Sequence, residues 1–214
     1  MNSEHEHKNR VKAGHAGSAF RRIERLPPML LVLYLGLVAI TSMFVILVGA
    51  YIHTHHSNEV PSGLHPFPRY FSLSTIVLLL SSYTIGQART LYQRDDLVAL
   101  ARCLAATLLL GCVFSGLQFL GWRELVQQGV FFSGEASGTY IYLISALHVV
   151  HLLGGMLYLL VLLLRVIHAE RDAIRALVFI RNPYYRRQLT LAATYWHFID
   201  ALWVALFAVF LFLY

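Results

Sequence analysis

Five stretches of this chain are apolar for long enough to cross a bilayer, and polar or charged segments divide them. A helix of about 20 mainly apolar residues spans the hydrocarbon core. The first stretch runs from about Pro28 to Ile52 and holds no charged residue. The second, from about Phe71 to Ala88, is the shortest, and Ser81, Ser82 and Thr84 make one side of it polar. The third runs from about Cys103 to Trp122, the fourth from about Ala136 to Leu164, and the fifth from about Leu189 to Tyr214. This pattern predicts an all-α fold, a polytopic bundle of five transmembrane helices over residues 27–214, with a polar tail over residues 1–26. Pro27 and Pro28 stand at the entrance of the first span, where a missing N–H does no harm. The fourth connection, RVIHAERDAIRALVFIRNPYYRRQ, has the pattern of a short amphipathic helix at the membrane surface, ended by Asn182–Pro183.

Composition agrees with the span pattern. The chain is 57% hydrophobic and only 13% charged, where a soluble domain carries about 25% charge. Its mean hydropathy is +0.60.

The net charge of +6 suggests nucleic acid until the charges are placed. Counted segment by segment, alternate sides of a five-span chain carry 15 and two Lys and Arg residues. Basic residues collect on the cytoplasmic side during insertion. The expected orientation therefore has the N-terminus cytoplasmic and the C-terminus periplasmic, with a mobile cytoplasmic tail. On this reading the positive charge sets topology and meets anionic headgroups, with Arg89 and Arg165 as headgroup contacts and no nucleic-acid partner. The tail has no apolar core and is not a secretory signal. Cys103 and Cys112 are too far apart along one helix to bridge each other, and read as two small buried apolar residues.

Ionisable groups at membrane depth are costly and mark function or tight pairing. The spans hold one deep acid, Asp200, with His197 three residues earlier; the fourth span carries His148 and His151. Three readings stay open. Asp200 bonds a histidine, either His197 or one across the helix interface. Alternatively, the cluster meets a partner subunit or a penetrating lipid headgroup. In the third reading it forms a metal or proton-relay site. No Glu lies in the spans, so the donor inventory is too poor for haem, copper or di-iron chemistry. Trp196, Asp200, Trp203, Phe207 and Phe210 recur at helical spacing as one bulky face. Gly154 and Gly155 read as a point of close helix approach.

These residues resemble a known family. The segment SGTYIYLISALHVVHLLGG, Ser137 to Gly155, looks like the GSTFFxxTGxHxxHVxxG segment of cytochrome oxidase subunit III. The segment TYWHFIDALWVALF, Thr194 to Phe207, looks like its YWHFVDxxWxxLF segment. Gly116, Leu117, Gln118 and Trp122 sit where the family has its LQ stretch, and LLLSSYTIGQA resembles its second polar helix, with Ser74 where the family has Asn. LQFLGWREL, followed by a Gly-rich outer loop, is similar to the Bacteroidetes-type branch. The likeness covers about residues 28–214 and fits the five-helix form of the family. Where the family carries a buried Glu in the first of these spans, this chain has none, and Ile40 falls near that position.

The resemblance implies a non-catalytic subunit of a haem–copper terminal oxidase, working in aerobic electron transport coupled to proton pumping. It would have no cofactor of its own beyond bound phospholipid, with haem and copper in partner subunits. The implied partners are subunit I, subunit II, a small subunit IV and a larger respiratory supercomplex. The matched residues His148, His151, Tyr195, Trp196, His197, Asp200 and Trp203 would define the last two helices and the wall of a lipid cleft. Subunit III of a quinol oxidase, or the accessory protein of nitric oxide reductase, is the near alternative. A small proton-coupled transporter is the alternative from another class, although inverted repeats and broken helices are absent from the sequence.

Overall fold

The computed structural model describes residues 28–57, 68–132 and 136–213. Among them are six helices: α1 (Pro28–Ser57), α2 (Arg69–Gln93), α3 (Leu97–Gln127), α4 (Ala136–Glu170), α5 (Ala173–Arg181) and α6 (Pro183–Leu213). All but α5 are long and apolar enough to cross a membrane, so the chain is a multi-pass membrane protein with the five spans expected. The polar tail over residues 1–26 lies outside the described residues.

Each helix outruns the apolar stretch that announces it. α2 begins at Arg69 and ends at Gln93, and α4 continues to Glu170. Hydropathy marks only the hydrocarbon slab, while the backbone still has to satisfy its N–H and C=O groups through the headgroup layer, so helical bonding continues.

The turns have local causes. After α2, Asp95 takes φ 60°, and the amides of Asp95 and Asp96 return to the carbonyls of Tyr92 and Leu91. That is a Schellman close, with Asp tolerated where Gly is usual. The next residue, Asp96, caps α3 by accepting from the Ala99 amide at 2.9 Å. α3 closes the same way through Gly129, φ 83°, with the Val130 amide on the Leu125 carbonyl at 3.0 Å. The amphipathic helix expected in the fourth connection is α5, and Asn182 ends it as read from the sequence. Asn182 also starts α6: its side chain accepts from the Tyr184 amide at 3.0 Å, with Pro183 at the first helical position.

The chain divides within α1. The turns up to Gly36 form a unit exposing Met29, Leu31, Val32 and Leu35. From Leu37 onward lies the bundle. There α1 buries Leu37, Phe44 and Tyr51, one residue in every seven, with Phe44 against His151 at 5.8 Å and Tyr51 against Phe210 at 6.1 Å between ring centroids. α2 packs on α3, α3 on α4, and α6 on both α2 and α4. Short connections make sequential helices antiparallel neighbours, which explains the first two pairings. The α2–α6 contact joins helices far apart in the chain. The sequence reading placed only α4 beside α6.

Candidate functional site: a polar cluster at mid-membrane

The inward face of α6 carries Trp196, Asp200, Trp203 and Phe210, all at most 3% exposed. This is the aromatic face expected from its spacing, although Phe207 is only partly buried. Both tryptophans on it are fixed by hydroxyls of α2. Trp196 Nε1 donates to Ser81 Oγ and Trp203 Nε1 to Thr75 Oγ1, each at 3.0 Å. The third tryptophan of the chain follows the same rule, Trp122 Nε1 donating to Ser145 Oγ of α4 at 2.9 Å. An indole N–H inside a bilayer has no water to turn to, so each one finds a hydroxyl on a neighbouring helix.

Trp203 stands among aromatic rings from three helices. Phe114 of α3 lies at 5.2 Å, His148 of α4 at 4.9 Å and Phe71 of α2 at 6.2 Å between centroids. Tyr195 turns toward α4 and donates to the His151 carbonyl at 2.9 Å. Its ring lies on Gly155, where a Cβ would come within 2.8 Å of Tyr195 Cε1. Gly154, next to it, faces open space. Only Gly155 is therefore the close approach that the sequence suggested for the pair.

The histidines do not pair with Asp200. His197 Nδ1 bonds Ser82 Oγ at 2.7 Å, and His151 Nδ1 meets the Leu147 carbonyl at 2.8 Å. His148 is fully buried, and among the described residues neither of its ring nitrogens nor either Asp200 oxygen has a hydrogen-bond partner. The Ser82 hydroxyl lies alongside the Asp200 carboxyl and is held by His197. Helix geometry accounts for the failed pairing: three residues back from Asp200, His197 sits about 60° round the helix and points to α2. Among the described residues no group of three or more His, Cys, Asp and Glu side chains could hold a metal ion. The four polar residues therefore do not converge on one point.

A second set of polar contacts joins α2 to α3. Gln118 Nε2 donates to Ser74 Oγ at 2.9 Å, and Thr84 and Thr107 exchange a hydrogen bond at 2.8 Å. Cys103 Sγ donates to the Thr84 carbonyl at 2.9 Å. Cys103 is only partly buried and Cys112 is exposed, so neither is the buried apolar residue expected. The sequence showed the polar side of α2 but not its partners. Their signal was a count of donors: each indole in a span requires a hydroxyl on some other span.

His148, Trp196, Asp200 and Trp203 are thus interior groups, and two grooves on the surface of the bundle lie elsewhere. One of about 360 Å³ is lined by Gly154, Leu157, Tyr158, Arg165 and Gln188. A larger one of about 800 Å³ lies between the end of α4 and α5. Arg165 borders both and donates to Gln188 Oε1 at 3.0 Å. It stands about 21 Å along α4 from His151, fourteen residues on. Arg89, the other expected headgroup contact, is exposed on α2.

Residues 31–214 match the family model described as cytochrome c oxidase subunit III. The match takes in α2 to α6 and most of α1, and the chain belongs to that family. Among its relatives, the probable cytochrome c oxidase subunit 3 of Mycobacterium tuberculosis is 31% identical over 139 residues, covering 65% of this chain and 64% of the relative. The chain thus matches somewhat under two thirds of the mycobacterial protein's length. The cytochrome c oxidase subunit 3 of Bacillus sp. strain PS3 is 32% identical over 155 residues, covering 72% of this chain and 70% of the relative. The cytochrome bo(3) ubiquinol oxidase subunit 3 of Pseudomonas aeruginosa is 28% identical over 156 residues, again covering 72% and 70%.

Proposed function

We propose that this chain is the non-catalytic subunit III of a haem–copper terminal oxidase in a bacterial inner membrane. It packs on catalytic subunit I, works beside subunit II and a small subunit IV, and takes part in oxygen reduction coupled to proton pumping. The N-terminus faces the cytoplasm and the C-terminus the periplasm, in keeping with the placement of 15 basic residues on one side and two on the other. The observation that carries the reading is the family match over residues 31–214. The mid-membrane cluster fits it. Its tryptophans and Tyr195 bond hydroxyls or carbonyls of neighbouring helices, which holds α2, α4 and α6 in register and leaves no assembled acid–base pair. His148, His151, Tyr195, Trp196, His197, Asp200 and Trp203 are then positioning residues of a scaffold. Haem and copper belong to the partner subunits. Phospholipid is the bound molecule expected of this chain, with Arg165 and Arg89 at its headgroups. The likeness of LQFLGWREL to the Bacteroidetes-type branch belongs to the same proposal.

The test is purification of the tagged chain in mild detergent from its native membrane, with a reduced-minus-oxidised haem spectrum and identification of the accompanying chains. A haem signal with a many-helix, His-rich partner is expected. A chain that purifies alone and without haem would overturn the reading and turn attention to transport. The Pseudomonas relative, named as a ubiquinol oxidase subunit, favours a second reading in which the donor is a quinol. A copper-binding Cys pair in the accompanying subunit II would exclude it.

A further inference from the structure

Polar side chains on the outer surface of a span are tolerated when their own helix satisfies them. On α1, Thr41 and Ser42 return their hydroxyls to the Leu37 and Val38 carbonyls at 2.8 and 2.9 Å. His197 of α6 differs. It is exposed, although it stands ten residues beyond Arg187, about 15 Å along the helix and so well inside the hydrocarbon. Its Nδ1 meets Ser82 Oγ at 2.7 Å. Among the described residues neither Asp200 oxygen has a hydrogen-bond partner, so the Ser82 hydroxyl takes Nδ1 as its acceptor. A neutral imidazole that accepts at Nδ1 carries its proton on Nε2. Among the described residues that N–H has no partner. Hydrocarbon holds no water to take the donor, so an acceptor has to come from outside the chain.

The surface around His197 suits a helix. α2 is the least apolar of the five spans, and it exposes Tyr83, Gly86 and Gln87 on one side. A Cβ on Gly121 would stand 2.5 Å from Phe71 and one on Gly155 2.8 Å from Tyr195, so those glycines serve packing within the chain. A Cβ on Gly86 would meet nothing nearer than the His197 ring, at 3.9 Å, so the chain itself makes no use of its smallness. Ala201, one turn beyond His197, is exposed as well. Gly86 and Ala201 keep the surface low beside the imidazole, which lets another helix approach closely. Two other occupants fit less well. The oxygen acceptors of a lipid lie at the edge of the hydrocarbon, and Ser82 is seven residues, about 10 Å, from Arg89. A second copy docked about a two-fold axis at His197 would set one N–H donor against another.

We propose that the α2–α6 face centred on His197 is a docking surface for a transmembrane helix of a partner chain, which presents a hydroxyl, amide or carboxyl oxygen to Nε2 inside the bilayer. Ser82 is the positioning residue, since its bond to Nδ1 turns the N–H outward. The assignment deepens the proposed packing on a catalytic subunit and rests on it: it puts that contact on α2 and α6 and states the chemistry of the residue that meets it.

The test uses the full tagged chain in its native complex. Benzoylphenylalanine placed at Gln87 or Ala201 and irradiated in the intact membrane is expected to couple to the haem-bearing chain. After purification in mild detergent, haem is read per tagged chain, so a lower level of the chain itself does not count as lost docking. H197F keeps a ring and removes both nitrogens, and should lower the retained haem about threefold to twentyfold. H197Q, whose amide N–H stands near the place of Nε2, should restore most of it. G86L, which raises the surface and leaves the donor in place, should lower it as H197F does. Coupling to lipid alone, or to a second copy of this chain, overturns the proposal. So does haem retention in H197F equal to the wild type, or H197Q no better than H197F, which would leave the imidazole a role in packing only. If the haem-bearing chain still accompanies the wild type in those cases, the docking face falls and the proposed function stands. If no haem-bearing chain accompanies it, both fall.

Discussion

At the scale of single residues, two neighbouring glycines illustrate how little a sequence says about contact. Gly154 and Gly155 are equivalent by composition, and both could ease helix packing. A Cβ on Gly155 would lie 2.8 Å from Tyr195 Cε1, whereas one on Gly154 meets nothing within 4 Å. Tyr195 cannot swing away cheaply, because its hydroxyl is committed to the His151 carbonyl. Gly155→Ala is expected to cost about 1–3 kcal/mol through overpacking, and Gly154→Ala to stay within about 0.5 kcal/mol of the wild type. Denaturant-induced unfolding in mixed micelles measures both, and equal costs would show that Tyr195 relaxes freely. Asp200 makes a second case. It is 3% exposed, and the Ser82 hydroxyl beside it already engages His197, so much of its desolvation goes uncompensated. Asp200→Asn is expected to leave the melting temperature of the isolated chain unchanged or raised. A clear fall would reveal a donor serving the carboxylate.

At the scale of helices, the spans were legible and their neighbours were not. The five spans and α5 follow from hydropathy and from Asn182–Pro183, because the bilayer tests every residue of a span for polarity. Which helix lies beside which depends on small groups that hydropathy averages away. The α2–α6 contact is written in Ser81, Thr75, Trp196 and Trp203, scattered over 128 positions of the chain. Reading the seven site residues from the last two helices alone therefore missed Ser81, Ser82 and Thr75, their partners on α2. The Ser81–Trp196 bond can be weighed by a double-mutant cycle of Ser81→Ala and Trp196→Phe. A coupling of about 0.6 kcal/mol, and at most about 1.7 kcal/mol, is expected for a hydrogen bond between membrane helices. Zero coupling would make α2 a neighbour by packing only. α5 depends on a different helix end. Tyr92→Phe removes the donor that gathers the carbonyls of Phe179, Ile180 and Asn182. Hydrogen exchange should rise across α5 and leave α3 and α4 unchanged; equal protection in both proteins would show that Phe179 packing alone holds it.

At the scale of the whole molecule, charge and span number have to agree. Five spans put the two ends of the described bundle on opposite sides of the membrane, and the basic residues then divide 15 to two. If any one of the first four spans did not cross, later segments would change sides and the asymmetry would not hold. Arg94, in the turn after α2, and Arg123, near the end of α3, are both exposed. They lie 29 residues apart, about 43 Å along the helical direction, which matches the full thickness of a bilayer with its headgroups, about 40–45 Å. Replacing Cys103 and Cys112 with alanine and placing one cysteine at either site gives a test of orientation. A membrane-impermeant maleimide should label Arg123→Cys in intact cells and Arg94→Cys only after the membrane is opened. Labelling in the reverse order would invert the molecule and put Arg89, Arg165 and the α5 groove on the outer face. The proposed headgroup contacts would then face the opposite leaflet. Labelling of both sites in intact cells would mean that α3 does not cross, and the five-span fold would fail with it.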